Sequence, residues 1–81
     1  MTITVKLFAI LRDKAGVAEL PLELPERATV ATAVETLLAR HPSLRPFANR
    51  IACAVNLSRV TGEAELKDQD ELALLPPVSG G

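Results

Sequence analysis

The first residues of the chain alternate between apolar and polar side chains. The apolar positions are Ile3, Val5 and Leu7, and the polar positions between them are Thr4 and Lys6. A period of two places successive side chains on opposite faces of an extended strand, which is typical of a strand with one buried face. The pattern predicts that residues 2–8 open a β-sheet, with Phe8 on the polar side of the alternation.

A second alternating run covers residues 17–24. Its apolar positions are Ala18, Leu20, Leu22 and Leu24. Between the two runs, residues 10–16 end in Gly16 and predict a helical turn or loop. Pro21 interrupts the second run, and proline has no backbone N–H to donate to a neighbouring strand. We therefore expect this strand to lie at a sheet edge or to turn that position outward.

The clearest helical pattern in the chain begins after Thr29. The Thr29 side chain can accept a hydrogen bond from a free backbone N–H, which is the role of an N-cap residue. Apolar residues then recur at helical spacing, at Val30, Val34, Leu37 and Leu38. The helix is predicted to end near His41, because Pro42 disfavours helical geometry in the residue before it.

The second half of the chain has shorter patterns. The predicted segments are an irregular connection over residues 43–50, a strand over 51–57, turns at 61–62 and 68–70, and a last strand over 71–75. Leu44 and Phe47 are expected to turn inward from the irregular connection. Pro76-Pro77 ends the last strand, since neither residue can donate to a sheet.

The order of elements predicts an α+β fold. One main helix is available to cover one face of a mixed sheet of four to five strands. This is the pattern of a β-grasp, or ubiquitin-like, domain. Residues 1–75 are predicted to form that domain, and residues 76–81 a flexible C-terminal tail that ends in two glycines.

Composition narrows the possible functions. A chain of 81 residues forms one small domain with little room for a large internal cavity, so chemistry is expected at the surface. No apolar run approaches the length of a membrane span, and the first residues lack the features of a secretory signal, so a cytoplasmic location is expected. The net charge of −1 and the two aromatic residues, both Phe, argue against nucleic-acid binding.

Two side chains with reactive atoms receive ordinary assignments. Cys53 is the single cysteine, which excludes an internal disulfide, and neither Cys53 nor His41 has a partner at metal-ligand spacing. No metal site is therefore expected. Cys53 lies among alanines and valine and is interpreted as a small core residue, and His41 as a helix-end residue.

The residues after the last predicted strand point to chemistry at the chain's end. Pro76-Pro77 gives the tail a stiff, extended start, and Gly80-Gly81 can pass through a narrow channel because glycine has no β-carbon. Six extended residues reach roughly 20 Å, far enough to enter another protein's active site. The Gly81 carboxylate is ionised at neutral pH and can attack the α-phosphate of ATP, provided that a partner enzyme supplies magnesium and positive charge.

Several segments resemble the small subunits of molybdopterin synthase. Residues 70–81, which read DELALLPPVSGG, are similar to the ending of these proteins. Further similar segments are Val5-Lys6-Leu7-Phe8-Ala9, the positions of Arg12 and Gly16, and Ala54-Val55-Asn56. The resemblance spans nearly the whole chain.

The resemblance implies a sulfur carrier that binds no cofactor itself. An E1-like adenylating enzyme would use ATP and magnesium to activate Gly81, and a sulfur donor would convert it to a thiocarboxylate, with Gly80 beside it. The large catalytic subunit, in a heterotetramer, would receive the sulfur for cyclic pyranopterin monophosphate in molybdenum cofactor synthesis. The implied partner-binding residues are Phe8, Leu75, Pro76, Pro77, Val78 and Ser79. Arg59 stands where these proteins often have an apolar contact.

Three other functions remain open. The same carrier chemistry serves thiamine synthesis or tRNA thiolation, and a ubiquitin-like modifier would be joined to lysines through the same glycines. An interaction module with an inert end is the fourth hypothesis. The partner that co-purifies separates the carrier pathways, and a diglycine remnant on other proteins would identify a modifier. An inert end predicts no loss of function when Gly80 and Gly81 are deleted.

Overall fold

A computed structural model describes residues 1–76 of the chain. The strands are β1 (Thr2–Leu7), β2 (Glu19–Glu23), β3 (Ala52–Val55), β4 (Ser58–Val60) and β5 (Glu71–Leu75). The helices are α1 (Ala9–Ala15) and α2 (Val30–Arg40), and a 3-10 helix covers Pro42–Arg50. The described residues therefore contain five strands, the upper end of the predicted number.

The five strands form one mixed sheet in the order β2-β1-β5-β3-β4. β1 and β5 pair in parallel at its centre, and every other neighbouring pair is antiparallel. The first and last strands of the chain thus lie side by side. This mixed sheet, with α2 packed on one face, confirms the predicted α+β, β-grasp fold.

The core lies between the sheet and the helices. Its sheet residues come from the alternating positions that the sequence pattern predicted, and its helical residues from the apolar face of α2. The buried set includes Ile3, Val5, Leu7, Leu22, Val30, Ala33, Leu37, Leu38, Leu72 and Leu74. Burial of apolar surface on this scale is the main force that holds so small a domain together.

The first two strands follow the prediction with shorter limits. β2 lies at an edge of the sheet, as Pro21 predicts, and Pro21 faces Thr4 of β1 in the register. β1 ends at Leu7 rather than at Phe8, because the chain turns into α1 there. Residues 10–16, predicted as a helical turn or loop, contain most of α1, whose Leu11 is fully buried.

Both predicted ends of α2 are confirmed. The Thr29 side chain accepts a hydrogen bond from the Thr32 N–H at 3.3 Å, which satisfies a free donor in the first turn. His41 lies at the other end, where its N–H donates to the Leu37 carbonyl at 2.8 Å. His41 therefore belongs to the helix terminus, as predicted.

Residues 43–50 are more regular than predicted. They lie within the 3-10 helix, which begins with Pro42, a position that needs no N–H donor. Leu44 is fully buried and Phe47 is half-buried against the core, so the prediction that both turn inward is confirmed. The two prolines in this segment concealed its helical turns from a pattern based on helix propensity.

The strand predicted over residues 51–57 is confirmed with shorter limits as β3, and a further strand, β4, follows it. The structure has two strands, β3 and β4, joined by a turn at Asn56 and Leu57. Both turn residues have positive φ angles, 48° and 73°, which matches the two-residue hairpin turn that usually carries Asn-Gly. The missing glycine concealed this turn.

Residues 61–70 tie the sheet to α2. The carbonyls of Gly62 and Ala64 accept the N–H groups of Ala31 and Val30, each at 2.9 Å. Leu66, which belongs to this segment, is buried in the core. Within residues 1–76, no helix is long and apolar enough to cross a membrane.

Candidate functional site

The predicted tail begins at the carboxyl end of a central strand. β5 is hydrogen-bonded to β1 on one side and to β3 on the other, and its Leu74 is fully buried. This anchorage fixes the point where the chain leaves the sheet, at half-buried Leu75 and Pro76. The other predicted tail residues, Pro77, Val78, Ser79, Gly80 and Gly81, lie outside the described residues.

The fold brings Phe8 beside the start of the tail. Leu7 pairs with Leu74 in the parallel register of β1 and β5, so Phe8 and Leu75 occupy the next position on each chain. Both positions fall on the sheet face opposite the core, because Leu7 and Leu74 are buried and side chains alternate. The Phe8 residue is 41% exposed, which is a large apolar area for solvent to contact.

The position of Phe8 is set by the turn from β1 into α1. Its backbone is extended, with φ −126° and ψ 153°, so it continues the alternation of the strand. Its carbonyl accepts hydrogen bonds from the N–H groups of Leu11 and Arg12, at 3.1 and 3.4 Å. The first turn of α1 therefore holds this backbone in place while the aromatic side chain stays exposed.

Small side chains extend this apolar surface along the sheet. Leu75 faces Ala52 of β3, and the next pair on the same face is Ala73 with Ala54. We call the group Phe8, Ala52, Leu75 and Pro76 the tail patch, and the sheet face opposite α2 the open face. Ala52 and Ala73 are half-buried and Ala54 is buried, so these small side chains lie low on the open face beside the patch.

Charged residues flank the alanines on the open face. Lys6 forms an ion pair with Glu71 at 3.3 Å, and both side chains are more than one-third exposed, so the pair contributes little to stability. Arg59 lies opposite Ala54 and has no ion-pair partner among residues 1–76. The Arg59 guanidinium is therefore available to a partner's carboxylate.

Cys53 has the environment of a core residue. It pairs with buried Leu74 and packs against the core, and burial raises the pKa of its thiol, an effect that the charge of Arg59 partly opposes. A raised pKa reduces the thiolate fraction at neutral pH and with it the reactivity of the sulfur. Among residues 1–76, no three His, Cys, Asp or Glu side chains are grouped to hold a metal ion.

Sequence reasoning missed the alanines of the open face. Ala52, Ala54 and Ala73 carry no chemical signal of their own, and only the register of β3 with β5 shows that they adjoin Leu75. The alternation of β5 was available in the sequence, but its pairing with β3 was not. The predicted roles of Phe8, Leu75 and Pro76 in partner binding stay predictions.

Comparisons with known proteins identify the relatives of this chain. The molybdopterin synthase sulfur carrier subunit of Arabidopsis thaliana is 37% identical over 79 residues, covering 98% of this chain and 82% of the relative. Small archaeal modifier protein 1 of Haloferax volcanii is 39% identical over 85 residues, covering 94% of this chain and 97% of the relative.

Solved structures agree with these matches. The crystal structure of SAMP1 from Haloferax volcanii has a TM-score of 0.89 at 34% identity and covers all of both chains. A chain in the crystal structure of the Amycolatopsis orientalis BexX/CysO complex has a TM-score of 0.73 at 30% identity, covering 98% of this chain and 99% of that one. The ThiS family model matches residues 5–81, which include the end of β1, all of β5 and the glycines. The chain therefore belongs to the ThiS family.

Proposed function

We propose that this chain is the sulfur-carrier small subunit of molybdopterin synthase. In this proposal Gly81 is adenylated, converted to a thiocarboxylate, and then donates its sulfur to cyclic pyranopterin monophosphate. The observation that carries the proposal is the Gly80-Gly81 ending of a ThiS-family chain, separated by four residues from the end of a central strand. The likeness to the Arabidopsis thaliana carrier subunit supports the choice of pathway.

The architecture suits a carrier that leaves catalysis to its partners. A stable β5 gives the tail a fixed origin, and the tail patch offers a partner an apolar surface beside that origin. Cys53 is half-buried, and burial raises the pKa of its thiol. The Cys53 thiol is therefore poorly suited to act as a nucleophile. The reacting group in this proposal is the carboxyl carbon of Gly81.

Activation needs an E1-like adenylating enzyme. A carboxylate oxygen of Gly81 attacks the α-phosphorus of ATP, the bond to the β-phosphate breaks, and pyrophosphate leaves. Magnesium and cationic groups of the partner stabilise the charge that develops on the phosphoryl oxygens. The product is an acyl adenylate, whose carbonyl carbon is unhindered because glycine has no side chain.

Sulfur then replaces the adenylate. Sulfide (HS⁻) delivered by the donor attacks the carbonyl carbon, the bond from that carbon to the AMP oxygen breaks, and AMP leaves, which gives the Gly81 thiocarboxylate and one proton. The carrier delivers this group to the active site of the large subunit, which it contacts through the tail patch and Pro77, Val78 and Ser79. A heterotetramer with a central dimer of large subunits is the proposed assembly.

Deletion of Gly80 and Gly81 tests this proposal. The truncated chain is expected to fold, because residues 1–76 already contain the buried core. It is expected to lose all sulfur transfer to the large subunit's substrate, measured with purified large subunit and activating enzyme. A truncated chain that still transfers sulfur would contradict the proposal, and a chain that no longer folds would show a structural role for the glycines.

The pathway itself needs a separate experiment. We expect an affinity-tagged chain to co-purify with a molybdopterin synthase large subunit from its own organism. Co-purification with a thiazole synthase or a tRNA-thiolating enzyme instead would assign the same carrier chemistry to another product. The fold and the glycines fit all three pathways, so the bound partner decides among them.

A second candidate function is protein modification. It is favoured by the 39% identity to small archaeal modifier protein 1, because a modifier would use the same activated Gly81 to acylate lysines. Trypsin digestion of the cell's proteins tests it, since an attached chain leaves a diglycine remnant only if the residue before the glycines is cleaved. Ser79 is not a trypsin site, so the test uses a Ser79→Arg variant.

A further inference from the structure

The turn between β3 and β4 carries an unusual residue. Val55 pairs with Ser58, so Asn56 and Leu57 form a two-residue loop in which both φ angles are positive. Asparagine tolerates this conformation well, and glycine is preferred at the second position. In this chain the second position is Leu57, with a φ of 73°.

Leu57 is unfavourable in two independent ways. Its backbone lies in the left-handed region, where a β-carbon is crowded by neighbouring backbone atoms. Its side chain is also the most exposed large apolar group among residues 1–76, at 91%. A glycine at this position would relieve the backbone and remove the exposed apolar surface at once. Stability therefore gives no reason for a leucine here.

The neighbouring residue holds the turn without help from Leu57. The Asn56 N–H donates to the Glu71 carbonyl at 2.9 Å, and the Glu71 N–H donates to the Asn56 side-chain oxygen at 3.0 Å. The Asn56 side-chain amide donates to the Asp70 carboxylate at 3.0 Å. These bonds fix the turn against the start of β5, so the Leu57 side chain is presented from a firmly held backbone.

The turn continues the surface that begins at the tail patch. β3 leads from Ala52 in the patch to Val55 beside the turn, a distance of about 10 Å along the strand. Buried Ala54 lies between them, and the exposed Arg59 of β4 lies opposite Ala54 on the open face. A standard interface buries about 800 Å² on each partner, which is wide enough to include both ends of β3.

We propose that Leu57 is a second anchor for the partner that takes up the tail, seated in an apolar pocket of that protein. The inference rests on the proposed function, because it assigns the pocket to the large subunit. Arg59 lies two residues from Leu57 and has no ion-pair partner among residues 1–76, so the pocket is expected to have a carboxylate at its rim.

The Leu57 side chain alone buries too little apolar area to bind a second copy of the chain or a membrane surface. The other exposed large apolar residues among residues 1–76 are Phe8, Ile10 and Val17. They follow the carboxyl end of β1, whereas Leu57 lies near the start of β5 at the opposite end of the sheet. The turn therefore needs a companion contact on the same partner. The tail patch, at the other end of β3, supplies it.

A single substitution separates binding from folding. Leu57→Gly should leave the melting temperature of the full chain unchanged or higher, because it relieves the left-handed backbone. Its affinity for the purified large subunit should fall about fivefold or more, the size expected for a contact worth ~1 kcal/mol. Leu57→Asn, which also tolerates positive φ, should give the same loss. Ala39→Ser changes an exposed residue near the end of α2, away from both the turn and the tail patch, and should leave the affinity unchanged.

The outcomes distinguish this inference from the function on which it rests. If wild-type chain binds the large subunit and both Leu57 variants bind equally well, the second anchor is wrong and the proposed function stands. Failure of wild-type chain to bind overturns the proposed function and the anchor with it. A clear drop in the melting temperature of both Leu57 variants would show that Leu57 serves folding, which also overturns the anchor.

Discussion

At the scale of single residues, glycine at the end of α1 illustrates how the backbone limits the sequence. Gly16 follows the helix with a φ of 81°, and its N–H donates to the Arg12 carbonyl at 2.9 Å. This left-handed conformation closes the helix and starts the approach to β2. Open space surrounds the position where a β-carbon would lie, so only the backbone requires glycine here.

We predict that Gly16→Ala lowers the free energy of unfolding by about 1 kcal/mol, because alanine is strained at positive φ. Urea unfolding of the two chains measures the difference. Gly62→Ala is the matched control: its φ is not in the left-handed range and a β-carbon there would make an ordinary contact with Ala31 at 3.4 Å. Equal losses in both variants would show that backbone strain is not the cause.

Phe8 is the residue on which partner recognition is predicted to depend most. Replacing it with alanine should weaken binding to the large subunit by on the order of 2 kcal/mol, about thirtyfold, since partly exposed aromatic side chains often dominate interfaces. Calorimetric titration measures the change, with a circular dichroism spectrum to show that the fold persists. Unchanged affinity would show that Phe8 does not contribute to binding of the large subunit.

At the scale of elements, the sequence pattern predicted the strands and the helix whose apolar residues recur at a regular spacing. The burial alternation of β1 and β5 and the apolar face of α2 repeat over enough residues to identify each element. Two features depend on local backbone geometry and were missed. These are the 3-10 helix, which contains two prolines, and the β3–β4 turn, where leucine replaces the expected glycine.

The residues of the candidate site were likewise predicted only in part. Leu75 and the glycines were identified because they sit in a recognisable sequence ending. Ala52 and Ala54 join the open face only through strand pairing, which links residues more than 15 positions apart in the chain and leaves no local trace. Long-range register is therefore the information that the sequence pattern lacked.

The turn before β5 makes stability depend on pH. The Asp68 carboxylate accepts a hydrogen bond from the Thr2 N–H at 2.8 Å, and this bond, with one from the Gln69 side chain, lowers the pKa of Asp68. A lowered pKa in the folded chain means that the charged form stabilises the fold. This contribution is present above the ordinary pKa of aspartate, about 3.9, and is lost as the pH falls through the lower folded value.

The free energy of unfolding of the Asp68→Asn variant should therefore fall less steeply with decreasing pH than that of the wild-type chain. Urea unfolding at a series of pH values from about 6 to 3 measures both curves. The two chains should differ in stability most near neutral pH and converge in acid. Curves that stay parallel throughout would mean that the Thr2 bond does not depend on the charge of Asp68.

At the scale of the whole molecule, the sheet places the first and last strands of residues 1–76 side by side. β1 and β5 are parallel neighbours at the centre, so the residues that follow both strands, Phe8 and Pro76, emerge at one edge. The core, the tail patch and Pro76 are thus all connected to the same central pair of strands. In the proposed function this arrangement lets a partner hold the domain while it acts on the end of the chain.

The proposed function requires Gly81 to become a thiocarboxylate. Its most direct test is the intact mass of the full chain after incubation with its activating enzyme, a sulfur donor, ATP and magnesium. We predict a mass gain equal to the exchange of one oxygen for one sulfur, located by fragmentation at Gly81 and absent without ATP. An unchanged mass under conditions in which a known carrier is sulfurated would contradict it.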